Sequence, residues 1–287
     1  MTHRSFLFTP ANHPRRVAKA LASAADAAIL DLEDAVAETE KAAARASLRA
    51  SLQEPRRTRA FVRINARDTV HGLEDLEAAI GPELDGIVLP KAEGAADVQT
   101  IDWVMGQLER RHGLAPGSIE LMPIIESAAG LVAAEAIARA AGGRVRRLCF
   151  GAADFTFDLD MTWSRDETEL TPARAHLVAV SRAAGLEPPV DTVWVDLQDT
   201  NGLEASVRRA AALGFRGKLC IHPDQLEPVH RVFTPSEEEI AYATKVVAAF
   251  EAAEAEGSAA IRVDGRFVDY PIVYRAQRTL ARARRDD

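Results

Sequence analysis

An α/β fold, a (β/α)₈ TIM barrel with a C-terminal helical extension, is what this sequence predicts, and three observations carry it. Eight short apolar runs alternate with segments of helical periodicity, the signature of a parallel sheet closed by its own strand count. The runs are apolar throughout instead of alternating, as expected of strands covered on both faces. Four of them finish on charged or polar groups: AAILDLED, AFVRIN, ELMPIIES and LCFGAAD. A carboxylate ending an apolar strand is costly unless it is paired or binds metal, so these endings point to a shared polar pocket over an apolar barrel.

Taken in order, the strands are read at 5–10, 27–33, 60–65, 86–91, 119–126, 145–151, 191–197 and 217–222, each a run bounded by Pro, Gly or Asp. Helices are read between and after them at 14–25, 38–52, 72–80, 94–111, 129–141, 171–184, 202–213 and 224–232. A doubly wound open sheet is the competing architecture. The turn after the first strand reads TPANHP and lacks the GxGxxG expected of a dinucleotide-binding sheet. The barrel is assigned to residues 1–233 and an extension to 234–287, a lid or an oligomer contact. Within the extension, Pro235-Ser236 followed by acids starts a helix and Gly257 stops it. A hairpin turning at Asp264-Gly265 comes next, then a last helix from about Pro271. A segment of this size is expected to be too short to bury a core of its own.

The 287 residues are 47% hydrophobic, enough for one large core. A net charge of -8 and a pI near 5.5 oppose a nucleic-acid or anionic-membrane surface. The first residues lack the apolar stretch of a signal peptide, no run approaches a membrane span, and the two cysteines, Cys149 and Cys220, lie inside apolar runs as core residues. A cytoplasmic location with no membrane partner is the expectation.

Glu126 and Asp154 close neighbouring strands, and two carboxylates so placed suit Mg²⁺, or Mn²⁺ in its stead, with positions left for water and substrate. The alternative is a pair of caps or salt-bridged acids. Arg63, followed by Asn65 in VRIN, offers a planar fork to a carboxylate or oxyanion; equally it could form a core ion pair with Asp31, Glu33 or Asp34. Glu33 and Asp34 could hold metal-bound water, or Asp34 could cap the loop. Lys91 in LPK reads as an electrostatic lysine ahead of a Schiff-base one. His222 in CIHP reads as a hydrogen-bonded strand end ahead of a catalytic group, and Asp199 as a helix N-cap. No GxSxG elbow, P-loop or HExxH occurs.

RSFLFTPAN, ILDLEDAV, VRINARDT, IVLPKAE, IIESAAGL, FGAADF, VDLQDTNGL, GKLCIHPDQ and FVDYP, in this order, resemble the citrate lyase β-subunit-like group of the HpcH/HpaI aldolase superfamily, which includes malyl-CoA and citramalyl-CoA lyases. The resemblance implies Mg²⁺ on Glu126 and Asp154, Arg63 at the substrate, and a homotrimer or hexamer in which Asp269 of the VDxP motif reaches a neighbouring subunit as acid or base. It sets the loop after the first strand (Ala11, Asn12) and the GKLCIHP region (His222) near a CoA arm. Ala11 departs from the pattern, since many relatives carry glycine there. The implied chemistry is cleavage or formation of a 3-hydroxyacyl-CoA thioester, with acetyl-CoA and a 2-oxo acid as the other side. A citrate lyase β subunit acting on an acyl carrier protein, a CoA-independent aldolase and a non-catalytic barrel are the alternatives.

Overall fold

A computed structural model describes residues 3–284; residues 1–2 and 285–287, the outermost of the two predicted segments, lie outside that range. The chain forms two compact units, a barrel unit His3–Val229 and a C-terminal unit beginning at His230.

In the barrel unit, β1 (Ser5–Pro10), β2 (Ala27–Asp31), β3 (Arg59–Arg63), β4 (Gly86–Leu89), β5 (Glu120–Ile125), β6 (Cys149–Phe150), β7 (Val190–Asp191) and β8 (Gly217–Cys220) pair in sequence order, and β8 closes on β1. All eight pairings are parallel. The interior is filled by Phe6, Ala27, Ile29, Phe61, Val88, Met122, Ile124, Cys149, Val190 and Leu219, at least one side chain from every strand. Side chains on a strand alternate between faces, so two residues further along each strand the same inward face continues. There stand Phe8, Asp31, Arg63, Glu126 and Gly151. Two residues before the core lie Arg59, Glu120 and Arg147, where Arg147 Nε sits 2.9 Å from Glu120 Oε1. An ionic layer therefore caps each end of the apolar interior.

The connecting helices are α1 (Pro14–Leu21), α2 (Lys41–Leu52), α3 (Gly72–Ala79), α4 (Ala95–Arg111), α5 (Ala128–Val132), α6 (Ala134–Arg139), α7 (Ala152–Asp158), α8 (Thr171–Ala183), α9 (Thr200–Leu213) and α10 (Leu226–Phe233). Four sequence expectations change. The helix expected at 129–141 is two helices meeting at Ala133, the first capped by Ser127 Oγ, which accepts from Gly130 N–H. The strand expected at 145–151 keeps two residues, with Val145 joined to Leu121 only by an isolated parallel bridge. Of the run 191–197 only Asp191 lies in a strand, and Val195 and Leu197 are exposed. Helix α7 was absent from the expected elements; its FGAAD start reads as a strand end.

The C-terminal unit holds α11 (Glu237–Ala255), β9 (Ile261–Val263), β10 (Arg266–Val268) and α12 (Tyr270–Ala283). Ser236 and Glu239 form a reciprocal capping box at the start of α11. Asp264 and Gly265, at φ 49° and 78°, make the two-residue turn that antiparallel β9 and β10 require. Contrary to the expectation from size, the unit gathers its own apolar cluster of Ala243, Val246, Phe250, Val263, Val268, Val273 and Ala276. Among the described residues no helix is long and apolar enough to cross a membrane.

Candidate active site at the carboxyl ends of the strands

Glu126 follows β5 on its inward face and is buried. Its Oε1 accepts the Lys91 backbone N–H at 2.7 Å. Lys91 achieves this at φ 49°, a left-handed conformation that a residue with a Cβ adopts only when its surroundings demand it. Opposite, a Cβ on Gly151 would lie 2.5 Å from Glu126 Oε2, so the end of β6 must be glycine for the carboxylate to fit. Burial, then the negative charges of Glu33 and Asp154, push the Glu126 carboxyl up to about 8 despite the Lys91 amide and Arg63. Asp154 stands half-buried in the first turn of α7 instead of on the strand itself.

A buried carboxyl facing further carboxylates fits a hard divalent cation, whose charge would offset the burial and the repulsion that together keep Glu126 protonated. Among the described residues no cluster of three or more His, Cys, Asp or Glu is disposed to hold a metal. Glu126 and Asp154 are two carboxylates that could carry Mg²⁺, an ion content with one or two carboxylates and several waters.

Arg63, the last residue of β3, lies in register with Asp31, the last of β2. Its Nε and Nη2 donate to Asp31 Oδ1 and Oδ2 at 2.7 and 2.6 Å. Its Nη1 is 2.9 Å from Glu33 Oε2, and the guanidinium carbon lies 4.8 Å from the centre of the Phe8 ring. Burial opposes the charge, but Asp31 and Glu33 more than compensate and the arginine holds its proton more firmly than usual. The core ion pair is therefore real, and it sits inside the polar layer. Asp34 is largely exposed, 4.0 Å from Arg63.

Glu33 lies between two cations, with Oε1 3.1 Å from Lys91 Nζ. Both of its oxygens are buried, and although they stand within ion-pair distance neither makes an aligned hydrogen bond. Burial raises the Glu33 carboxyl above its ordinary range, against the pull of Arg63. Lys91 is half-exposed; partial burial disfavours its charge, yet Glu33 raises its pKa overall. A Schiff-base lysine needs the opposite shift, so the electrostatic role is the one its surroundings support.

The remaining candidates are placed differently. Asn65 donates to Leu32 O and Asp75 Oδ2 and accepts from Lys41 Nζ at 2.6 Å, so its amide is engaged within the chain. Lys41, unmarked in the sequence, sends its other hydrogens to the carbonyls of Leu32 and Glu33 and braces the loop that carries Glu33. No local pattern announces it, because its partners come together only when α2 packs under that loop. His222 caps a 3₁₀ turn, its Nδ1 accepting from Asp224 N–H at 3.3 Å. Asp199 caps α9 through Gly202 N–H and also pairs with Arg165. Ala11 is buried, with its N–H on Asp31 O, and Asn12 Oδ1 is buried without a partner. Cys149 and Cys220 are buried, and burial drives both thiols upward, that of Cys220 to about 12. Asp269, in the C-terminal unit, stands at the N-cap of α12 without a capping side-chain hydrogen bond.

The citrate lyase subunit beta of Escherichia coli K12 is 37% identical over 98% of this chain and 93% of its own. The L-malyl-CoA/beta-methylmalyl-CoA lyase of Cereibacter sphaeroides (ATCC 17025) is 38% identical, covering 96% of this chain and 92% of its own. A crystal structure of the protein CitE of Mycobacterium tuberculosis, in complex with magnesium, acetoacetate and coenzyme A, superposes with a TM-score of 0.79 at 37% identity, covering 97% of each chain. The model of the HpcH/HpaI aldolase/citrate lyase family matches residues 4–223. The chain belongs to the HpcH/HpaI aldolase/citrate lyase family.

Proposed function

We propose that this protein is a Mg²⁺-dependent carbon–carbon lyase that cleaves, or in reverse forms, a 3-hydroxyacyl-CoA thioester such as malyl-CoA or citramalyl-CoA. The observation that carries this reading is the buried Glu126, facing Asp154 and flanked by Arg63 and Lys91 at the mouth of the barrel. The relative named as a malyl-CoA lyase and the CitE complex with magnesium and coenzyme A support it.

Held by Glu126 and Asp154, Mg²⁺ supplies a Lewis acid for the oxygens of the 2-oxo acid. Cleavage moves the electron pair of the carbon–carbon bond onto the acetyl thioester as its enolate. The hydroxyl proton is lost from one product and a proton is gained by the acetyl carbon of the other, so the count balances. Arg63 presents Nη1 to the negative charge of carboxylate or enolate, a donor already fixed in place before charge develops. Lys91 adds a second positive charge on the same side. Asp269 exchanges the proton at the acetyl carbon, reaching the site of a neighbouring subunit in a trimer or hexamer, an assignment supported by the VDxP resemblance. The loop of Ala11 and Asn12 and the segment ending at His222 receive the CoA arm.

The test is a screen of the purified protein, with acetyl-CoA and propionyl-CoA set against glyoxylate, pyruvate and oxaloacetate, read by product mass. A new hydroxyacyl-CoA that depends on Mg²⁺ is the expected result. Free CoA and a hydroxy acid as the sole products would identify thioester hydrolysis instead. A second reading, the β subunit of a citrate lyase acting on a carrier-protein thioester, has the E. coli relative in its favour. It predicts turnover of citryl-carrier protein and none of the CoA thioesters.

A further inference from the structure

We infer that Asp31 is a positioning residue for this reaction, acting through Arg63, an assignment that rests on the lyase reading above. Asp31 is fully buried at the end of β2, and all four of its acceptor directions are filled. Oδ1 takes Arg63 Nε and the Glu33 N–H at 3.0 Å; Oδ2 takes Arg63 Nη2 and the Ala35 N–H at 3.1 Å. With its oxygens so engaged, Asp31 has no lone pair free for substrate or metal.

What it does have is control of one guanidinium. The bidentate grip fixes the rotation of Arg63 in its plane, and the Phe8 ring, 4.8 Å from the guanidinium carbon, fixes the tilt. The edge bearing Nη1 is the one turned toward Glu33. The two loop amides tie the same carboxylate to the segment that carries Glu33, so the anion and the cation facing each other share one anchor. A lysine at position 63 or an amide at position 31 would keep the volume and lose this orientation.

The test joins a spectroscopic and a kinetic readout. In metal-free, ¹⁵N-labelled protein the Arg63 Nε–H resonance is identified by its loss in Arg63→Lys, and its exchange with solvent is measured. In the wild type it should exchange at least about a hundredfold more slowly than an exposed arginine, and Asp31→Asn should speed it about tenfold or more, as loss of a charge-assisted bond requires. Under turnover, Asp31→Asn should lower kcat about a hundredfold while KM for the CoA thioester stays within about threefold. Added to Arg63→Lys it should cost no more than about a further threefold, because the two act as one unit. Rapid Nε–H exchange in the wild type overturns the inference without any variant having to fold. So does a double variant whose losses multiply. Wild-type protein with slow exchange but no lyase turnover overturns the functional reading alone and leaves the Asp31–Arg63 pairing standing.

Discussion

Replacing Glu126 by glutamine separates the cost of its burial from its use. At pH 7 the carboxyl, raised to about 8 by burial and by Glu33 and Asp154, is largely protonated in the metal-free fold, whereas in the unfolded chain it is ionised. For a group whose folded pKa is raised, the stabilising form is fully present below the unfolded value of about 4.5 and is lost as pH rises through the folded one. Each pKa unit corresponds to about 1.36 kcal/mol, so the metal-free protein forgoes on the order of 3 kcal/mol between pH 4.5 and 7 on this account. Glutamine stays neutral throughout and keeps the carbonyl that accepts the Lys91 amide. Glu126→Gln should therefore be more stable than the wild type by about 3–4 kcal/mol in metal-free buffer at pH 8. Mg²⁺ at a hundred times its dissociation constant should raise the stability of the wild type by about 2.7 kcal/mol and leave the variant unchanged. Urea titrations of both proteins at pH 5 and pH 8, with and without Mg²⁺, give these differences. Equal stabilisation of both proteins by Mg²⁺ would refute the assignment of Glu126 as a ligand; a variant less stable than the wild type at pH 8 would refute the burial cost.

Arg63→Lys keeps the charge and loses the fork, so turnover should fall by about 10²–10³ with the far-ultraviolet circular dichroism unchanged; an unfolded variant would make the arginine a folding element first. Gly151→Ala puts a methyl 2.5 Å from Glu126 Oε2 and should abolish the Mg²⁺-dependent rise in stability, which calorimetry would detect. Asp191, buried against Lys218 at 2.7 Å and Arg174 at 2.8 Å, is held below the usual carboxylate range by these cations despite complete burial. Its contribution is present above about pH 4 and lost as pH falls through the lower folded value. Asp191→Asn should cost about 3–5 kcal/mol near pH 7 by leaving two buried cations short of a counter-charge, and a cost that did not shrink on acidification would contradict this. Mixing inactive Asp269→Ala with inactive Glu126→Ala subunits should restore part of the activity; no recovery in oligomers shown by native mass to be mixed would count against a site shared between subunits.

The barrel was legible because parallel strands covered on both faces must be apolar runs, and their count set closure. The polar layer was legible for the same reason. Asp31, Arg63 and Glu126 stand two residues beyond interior positions 29, 61 and 124, on one face of each strand. Asp154 was visible as an acid but misplaced by a helix turn, because α7 begins where an apolar strand ending was read. Lys41 left no trace, since a lysine bonded to the carbonyls of the loop ahead of its own helix has no periodicity or motif. The sequence kept both possibilities for Arg63 open; the structure shows the ion pair with Asp31, and the role at the substrate belongs to the proposed function.

The barrel wall is uneven. Strands β6 and β7 have two residues each and are paired through Cys149 and Val190, whereas β1, β2 and β3 run five or six residues side by side. Cooperative opening follows the density of such pairing, so the thin sector is where the closed sheet would part first. Asp154 emerges from that sector, while Glu126 follows the six-residue β5. An ion shared by the two acids would act as a rivet across the seam, and amide exchange near residues 149–158 would report on its presence more sensitively than exchange anywhere along β1 to β3.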